Sequence, residues 1–267
     1  MNKKAKAEEM GKPFLNGAPK DENTVRNALK FFGAILLVAF VSFIVCSMTS
    51  FSSVILRIGI NLLIEILILY IFFTKGINLG TEGVSRGEIL YQHVQKGIAI
   101  TEKEKKIPFH KAKGFIIGFS GTVLFIIAAL ILAFTAQRQM TGAGTLPSWM
   151  DAYMRRSEVS GALISYTQGV SVTVTDIIRI FIRMMIMPFV SMCGSENRDL
   201  LLIMERFSPL LVSLPAVAYG TGYLQGPVQR KKIHTEIAAN ARKRSIREKK
   251  EKKAKNARKT NEPQQLN

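Results

Sequence analysis

Five apolar stretches, each close to the length of a bilayer-crossing helix, divide this chain: residues 31–50, 54–73, 114–136, 172–192 and 201–223. A helix needs roughly 17–25 predominantly apolar residues to cross the hydrocarbon layer. The runs at 31–50 and 114–136 carry no charge at all, whereas the other three do. The chain also carries 37 Lys+Arg against 19 Asp+Glu, a formal net charge of +18, although 48% of its 267 residues are hydrophobic. Excess charge and excess apolar surface rarely share one soluble domain, but they coexist when they are segregated along the chain. That segregation excludes a simple soluble enzyme and a wholly disordered chain, and two cysteines exclude a disulfide-stapled secreted domain. The expected fold class is all-α, a polytopic integral membrane helical bundle.

The first run reads as a signal anchor, because thirty mostly polar residues precede it and no small-residue cleavage site follows. Residues 1–20 have the composition of a disordered tail, and Asn23 and Thr24 mark a helix start that leads into the first span. The resulting organisation is an N-terminal segment 1–30, a membrane domain 31–226 and a basic tail 227–267. Within the membrane domain lie a connecting loop 74–113 and an outer segment 137–171.

Lysine and arginine resist translocation, so their distribution sets orientation. Residues 1–30 hold seven, residues 74–113 eight and residues 224–267 fourteen, whereas the 51–53 connection holds none. Both termini are therefore expected in the cytoplasm, with the chain in the cytoplasmic membrane. Two cytoplasmic ends require an even number of crossings, yet there are five apolar runs. The segment 172–192 is the weakest, since Asp176, Arg179 and Arg183 each cost about 2.5–3.5 kcal/mol at a helix centre. Their i, i+3, i+7 spacing places them on one helical face, extended backward by Thr175, Ser171 and Gln168. The expectation is four spans plus one amphipathic interfacial helix on the outer side, continuous with 137–171. The rival is five true spans with the polar stripe turned into the bundle.

Ionisable groups inside apolar runs are functional candidates by default. Arg57, Asn61 and Glu65 stack at i, i+4 and i+8, and Glu205 and Arg206 join Asp176, Arg179 and Arg183 as intramembrane polar residues. Their near-balance of sign points to mutual pairing. They form either a polar path centred on Glu65 or a buried network that fixes helix register or assembly. Gly114, Gly118 and Gly121 place small residues on one face, which lets helix backbones approach in lipid. Pro209 and Pro215 are expected to kink the last run, and Pro188 to end or bend the fourth.

In the loop, Ser85-Arg86-Gly87-Glu88 matches a capping box and Gly97 a stop, predicting a short helix over 86–96. Ser148 and Asp151 form a weaker cap before an outer helix anchored by Trp149 and Tyr153. The tail, with fourteen basic and four acidic residues, predicts one long helix over 228–259. Glu248–Lys252 and Glu251–Lys255 support it as i,i+4 pairs. Arg230, Lys231, Lys232, Arg242, Lys243, Arg244 and Arg247 are its candidate contacts to anionic lipid or to a membrane or cytoplasmic protein. Specific nucleic-acid binding is disfavoured, because no recognition motif or aromatic interleaving accompanies the charge.

No catalytic motif, metal-ligand spacing or cofactor fingerprint occurs, and the histidines and cysteines are isolated. The leading expectation is a non-enzymatic scaffold or subunit of a larger membrane assembly. The runner-up is a small transporter or channel component.

Overall fold

In the structure, a computed structural model, the described residues are 12–48, 51, 53–137, a few within 152–160, 173–194 and 197–260. Their regular structure is helical throughout. Eight helices are used below: α1 (Glu22–Met48), α2 (Val54–Gln95), α3 (Glu102–Lys106), α4 (Lys113–Thr135), α5 (Val174–Met185), α6 (Met187–Cys193), α7 (Arg198–Leu224) and α8 (Gly226–Thr260). Four of them, α1, α2, α4 and α7, are long and apolar enough to cross a membrane. Up-down alternation of these four leaves the N-terminal segment and α8 on one side, called the tail side below. The predicted outer cap at Ser148 and Asp151, with Trp149, lies outside the described residues, as do Ser171 and Gln168.

The bundle is organised around α7, which packs along both α4 and α2, while α1 packs on α4. Phe31, Phe72, Phe125, Ile117, Leu132, Val212 and Ala216 form its buried core. Leu37, Ile55, Leu63, Leu124, Phe134 and Leu210 point outward. In water such a girdle would drive aggregation, whereas here it is the surface that meets acyl chains. Gly114 packs against the Tyr223 ring, Gly118 against the Ala216 backbone, and Gly121 against Ala28 and Phe31. The glycine face of α4 thus serves contacts with α7 and α1 inside the bundle.

Pro209 and Pro215 lie within the single helix α7. Proline at position 209 removes the N–H that would have bonded the Glu205 carbonyl. The Ser208 hydroxyl donates to that carbonyl instead, at 2.7 Å. In hydrocarbon this substitution is what lets the helix continue.

The described part of the segment, 173–192, packs into the bundle as two short helices, neither long enough to cross. Helix α5 has 12 residues, about 18 Å of rise and too short to span. It starts beside Gln137, at the end of α4 remote from the tail side. It stops at Ile186, which is buried at mid-bundle depth among Ile35, Glu65 and Val212. Pro188 then opens α6, which returns to the level of Arg57, near the start of α2. Helices α5 and α6 therefore form a re-entrant hairpin that enters and leaves on the same face. This removes the parity conflict, because a hairpin adds no crossing. The interfacial reading fails on polarity: Asp176 and Arg179 are buried, whereas Ile177 and Ile180 are 60% and 67% exposed. The charged stripe faces the bundle and the apolar stripe faces lipid.

Two tail-side expectations also change. Helix α2 runs unbroken through the predicted loop to Gln95, so the box at Ser85 starts no helix; only the stop holds, with Gly97 at φ +71°. Gly76, Gly80, Gly83 and Gly87 are used along this extension for close approach. A Cβ at Gly76 would collide with the Tyr219 carbonyl and one at Gly80 with the Tyr223 carbonyl, while Gly222 faces Phe73 in return. Residues 12–20, expected as part of a loose tail, dock instead. Leu15 N–H donates to Gly87 O at 3.2 Å and Gly17 N–H to Phe109 O at 2.9 Å. Phe109 stacks on Tyr223 with ring centroids 5.1 Å apart, and Phe14 packs edge-on to Phe109.

Candidate functional site

The hairpin is held by a charge cluster of four of the predicted intramembrane residues. Asp176 sits three residues after Thr173, and the pair forms a capping box at the start of α5. Thr173 N–H and Oγ–H both donate to Asp176 Oδ2, at 3.1 and 2.6 Å. Oδ1 accepts from Arg179 Nη1 at 3.0 Å. Arg179 Nη2 donates to Gln137 O at 3.0 Å, which ties α5 to the end of α4. Its Nε lies 3.0 Å from Glu205 Oε1 of α7. Arg183, one turn further along α5, donates from Nε to the same Glu205 oxygen at 2.8 Å. Two arginines and two carboxylates thus neutralise one another across α5 and α7, and the Gln137 carbonyl adds the end of α4 to the network. In a low-dielectric interior, charges this deep persist only when paired and hydrogen-bonded.

The stripe on α2 behaves differently. Arg57 reaches the hairpin exit, where Nη2 lies 3.5 Å from Cys193 O. Gly194 follows at φ +76°, a backbone conformation that favours glycine, with the Arg57 guanidinium packed over it. Asn61 Nδ2 donates back to Arg57 O at 2.8 Å. Glu65, eight residues and about 12 Å of rise below Arg57, is buried against a cavity of about 30 Å3 shared with Ser42, Phe72, Ile186, Phe189 and Pro215. That volume has room for a water or two. Arg57 and Glu65 therefore share a face without pairing. Arg206 is exposed on α7 and lies apart from the cluster that contains its neighbour Glu205.

At the tail side, Glu88 of α2 is buried and clamps the root of α8. Arg230 donates through Nε and Nη2 to Glu88 Oε2 at 3.0 and 2.8 Å. His234 Nε2–H donates to Oε1 at 2.8 Å, since a carboxylate can only accept. Arg230, expected among the free contacts of the tail, is thus spent inside the protein. Lys231, Lys232, Lys243, Arg244 and Arg247 are exposed on the helix. Burial alone would raise the Glu88 carboxyl, but hydrogen bonds and charge from Arg230 and His234 outweigh it and hold it below the usual carboxylate range. A carboxyl held low in the folded state stabilises at pH above its unfolded value, about 4.3, and that contribution is lost as pH falls through the lowered native value. Acidification below about pH 4 is accordingly expected to free the root of α8 before the apolar core melts. A spin label at Ile237 should gain mobility in that window, and Glu88→Gln should already be mobile at neutral pH. An unchanged spectrum in both experiments would remove the clamp.

Sequence reasoning assigned the intramembrane residues but missed two features. The Thr173–Asp176 box was legible as T-x-x-D before an apolar stretch. The Glu88–Arg230–His234 clamp had no local signal, because its partners are 142 and 146 residues apart. Comparison with protein-family models, curated proteins and solved structures finds no match to this chain.

Proposed function

We propose that this protein is a non-enzymatic subunit of a larger assembly in the cytoplasmic membrane, with both termini in the cytoplasm and α8 as its docking arm. The observation that carries this reading is the contrast between the two ends of the molecule. Four of the intramembrane charges neutralise one another in the hairpin cluster, whereas α8 is fixed at its root by Glu88 and is exposed over residues 235–252. A rooted basic helix suits an acidic protein surface, and its charges also favour anionic lipid. Gentle crosslinking in membranes followed by purification is expected to yield a stoichiometric partner. Lys243→Glu with Arg244→Glu and Arg247→Glu should lower its recovery about tenfold or more, because like-charge juxtaposition costs several kcal/mol. Undiminished recovery would sink the docking-arm reading.

A second reading, transport, is favoured by one feature: Glu65 is buried against the tip of a re-entrant hairpin, a geometry suited to moving a proton or ion. Glu65→Gln separates the two. Loss of flux in vesicles with the assembly intact supports transport, and an intact assembly with no flux in either form supports the subunit role.

A further inference from the structure

The first two spanning helices, although adjacent in sequence, barely touch. On the side remote from the tail the hairpin lies between them. On the tail side they enclose a cleft of about 460 Å3 whose floor is Tyr219 and Tyr223 of α7. Its size is within the roughly 300–1,000 Å3 of small-ligand sites. Five cations and two carboxylates line it. Both carboxylates are already committed, Glu82 to Arg86 at 2.6 Å and Asp21 to Lys113 at 3.2 Å. Lys113 Nζ is further spent on the carbonyls of Lys106, Ile107 and Pro108. That leaves Arg26, Lys30 and Lys75 facing the cleft without a carboxylate partner among the described residues, Lys75 touching only the Phe72 ring at 5.9 Å.

The depth of these cations identifies what they are placed to meet. Lys30 immediately precedes the apolar run 31–50, and Lys75 lies two residues beyond the run 54–73. Both therefore sit at the boundary between hydrocarbon and headgroups, with Arg26 one turn farther out on the face of Lys30. Asn23, Asn27 and Asn78 supply amide donors around them, while Phe31 and Ala34 continue the α1 wall toward the membrane interior and Leu79 lines the tail-side part of the cleft. Cations and amides at headgroup level above an apolar wall, between two lipid-facing helices, match the chemistry of a phosphate on an acyl chain.

We infer that this cleft binds the phosphate of an anionic phospholipid, held by Arg26, Lys30 and Lys75 with its acyl chain between α1 and α2. The site is distinct from the basic tail, which attracts anionic surfaces without enclosing a headgroup. A basic residue near an anionic surface contributes enough that removing two lowers affinity about 30-fold and removing one about 5-fold.

The full-length protein, delipidated in neutral detergent, would be titrated with phosphatidylglycerol or phosphatidylcholine of matched chains and read by native mass spectrometry. Wild type is expected to retain one phosphatidylglycerol in preference to phosphatidylcholine. Lys30→Gln with Lys75→Gln should lose about 30-fold in phosphatidylglycerol affinity and leave phosphatidylcholine unchanged. Lys30→Arg with Lys75→Arg should restore the preference, and Lys243→Gln with Arg244→Gln should not disturb it. If the double Gln variant loses its helical circular dichroism, Arg26→Gln alone, expected at about 5-fold, takes its place. Preference that survives the cleft variants, or that disappears with the tail variant, overturns the assignment. Displacement of the lipid by millimolar inorganic phosphate would show a soluble-anion site and likewise overturn it.

Discussion

Replacing Arg179 with leucine is expected to cost the protein about 3–5 kcal/mol, enough to unfold or disassemble a marginal membrane domain. Arg179 is 2% exposed and lies between Asp176 and Glu205, the latter also 2% exposed. Removing it leaves buried carboxylates short of a cation and releases the Gln137 carbonyl that ties α5 to α4. Arg183 cannot compensate fully, because it already serves Glu205 and its side chain is 21% exposed. Arg183→Leu should therefore cost roughly half as much, its partner remaining paired through Arg179. The triple variant Arg179→Leu, Arg183→Leu, Glu205→Leu should recover most of the loss, since whole buried ion sets can be replaced by apolar groups at little cost. Asp176 keeps the Thr173 N–H and hydroxyl as donors in the triple variant but loses its cation, so adding Asp176→Asn completes the neutral set. Thermal melts in detergent, followed by circular dichroism, check the series. An Arg179→Leu variant that melts with wild type would show that the cluster does not hold the hairpin.

Gly80→Ala is expected to have an effect of comparable size, about 3 kcal/mol or more, from a single added methyl. The obstacle is backbone: the Tyr223 carbonyl lies on the path of the new Cβ, and the Cα of Gly226 is 3.2 Å from it. Backbone on both sides leaves no flexible side chain to swing away, and Gly76 and Gly222 repeat the situation on adjacent turns. The internal control is built in. A Cβ at Gly33 or Gly59 would meet nothing within 4 Å, so Gly33→Ala and Gly59→Ala should be neutral or stabilising by about 0.5–1 kcal/mol. Comparing the three melts isolates crossing distance from helix propensity, and equal melting of all three would refute the close crossing.

The spans were legible because length and hydropathy are local properties of the chain, and so was the tail helix, which composition and i,i+4 pairs specify. Positive charge also exposed the conflict at 172–192, but could not resolve it. A polar stripe at helical spacing states that two faces differ; it does not state which faces outward, and lipid reverses the preference that water imposes. With Glu205 and Gln137 supplied by other elements, the stripe of α5 turns inward. The extension of α2 was missed for a related reason. Four glycines read as punctuation in isolation, whereas Gly76 and Gly80 are the small residues that the crossing with α7 demands, and Gly83 and Gly87 admit Phe109 and Leu15. The Glu88 clamp and the basic cleft depend on residues far apart in the chain, where no spacing rule reaches.

A single residue, Gln225, separates α7 from α8. Its N–H bonds Gly222 O at 2.9 Å and its carbonyl accepts from Gln229 N–H at 3.0 Å, so the backbone passes from one helix to the next without a loop. Glu205 lies near one end of this rod and the exposed tail forms the other, with Arg230 pinned to Glu88 between them. The arrangement is mechanically a lever on a fulcrum. A load applied at the far end of α8 would reach the hairpin along this continuous backbone, with the Glu88 clamp as its pivot.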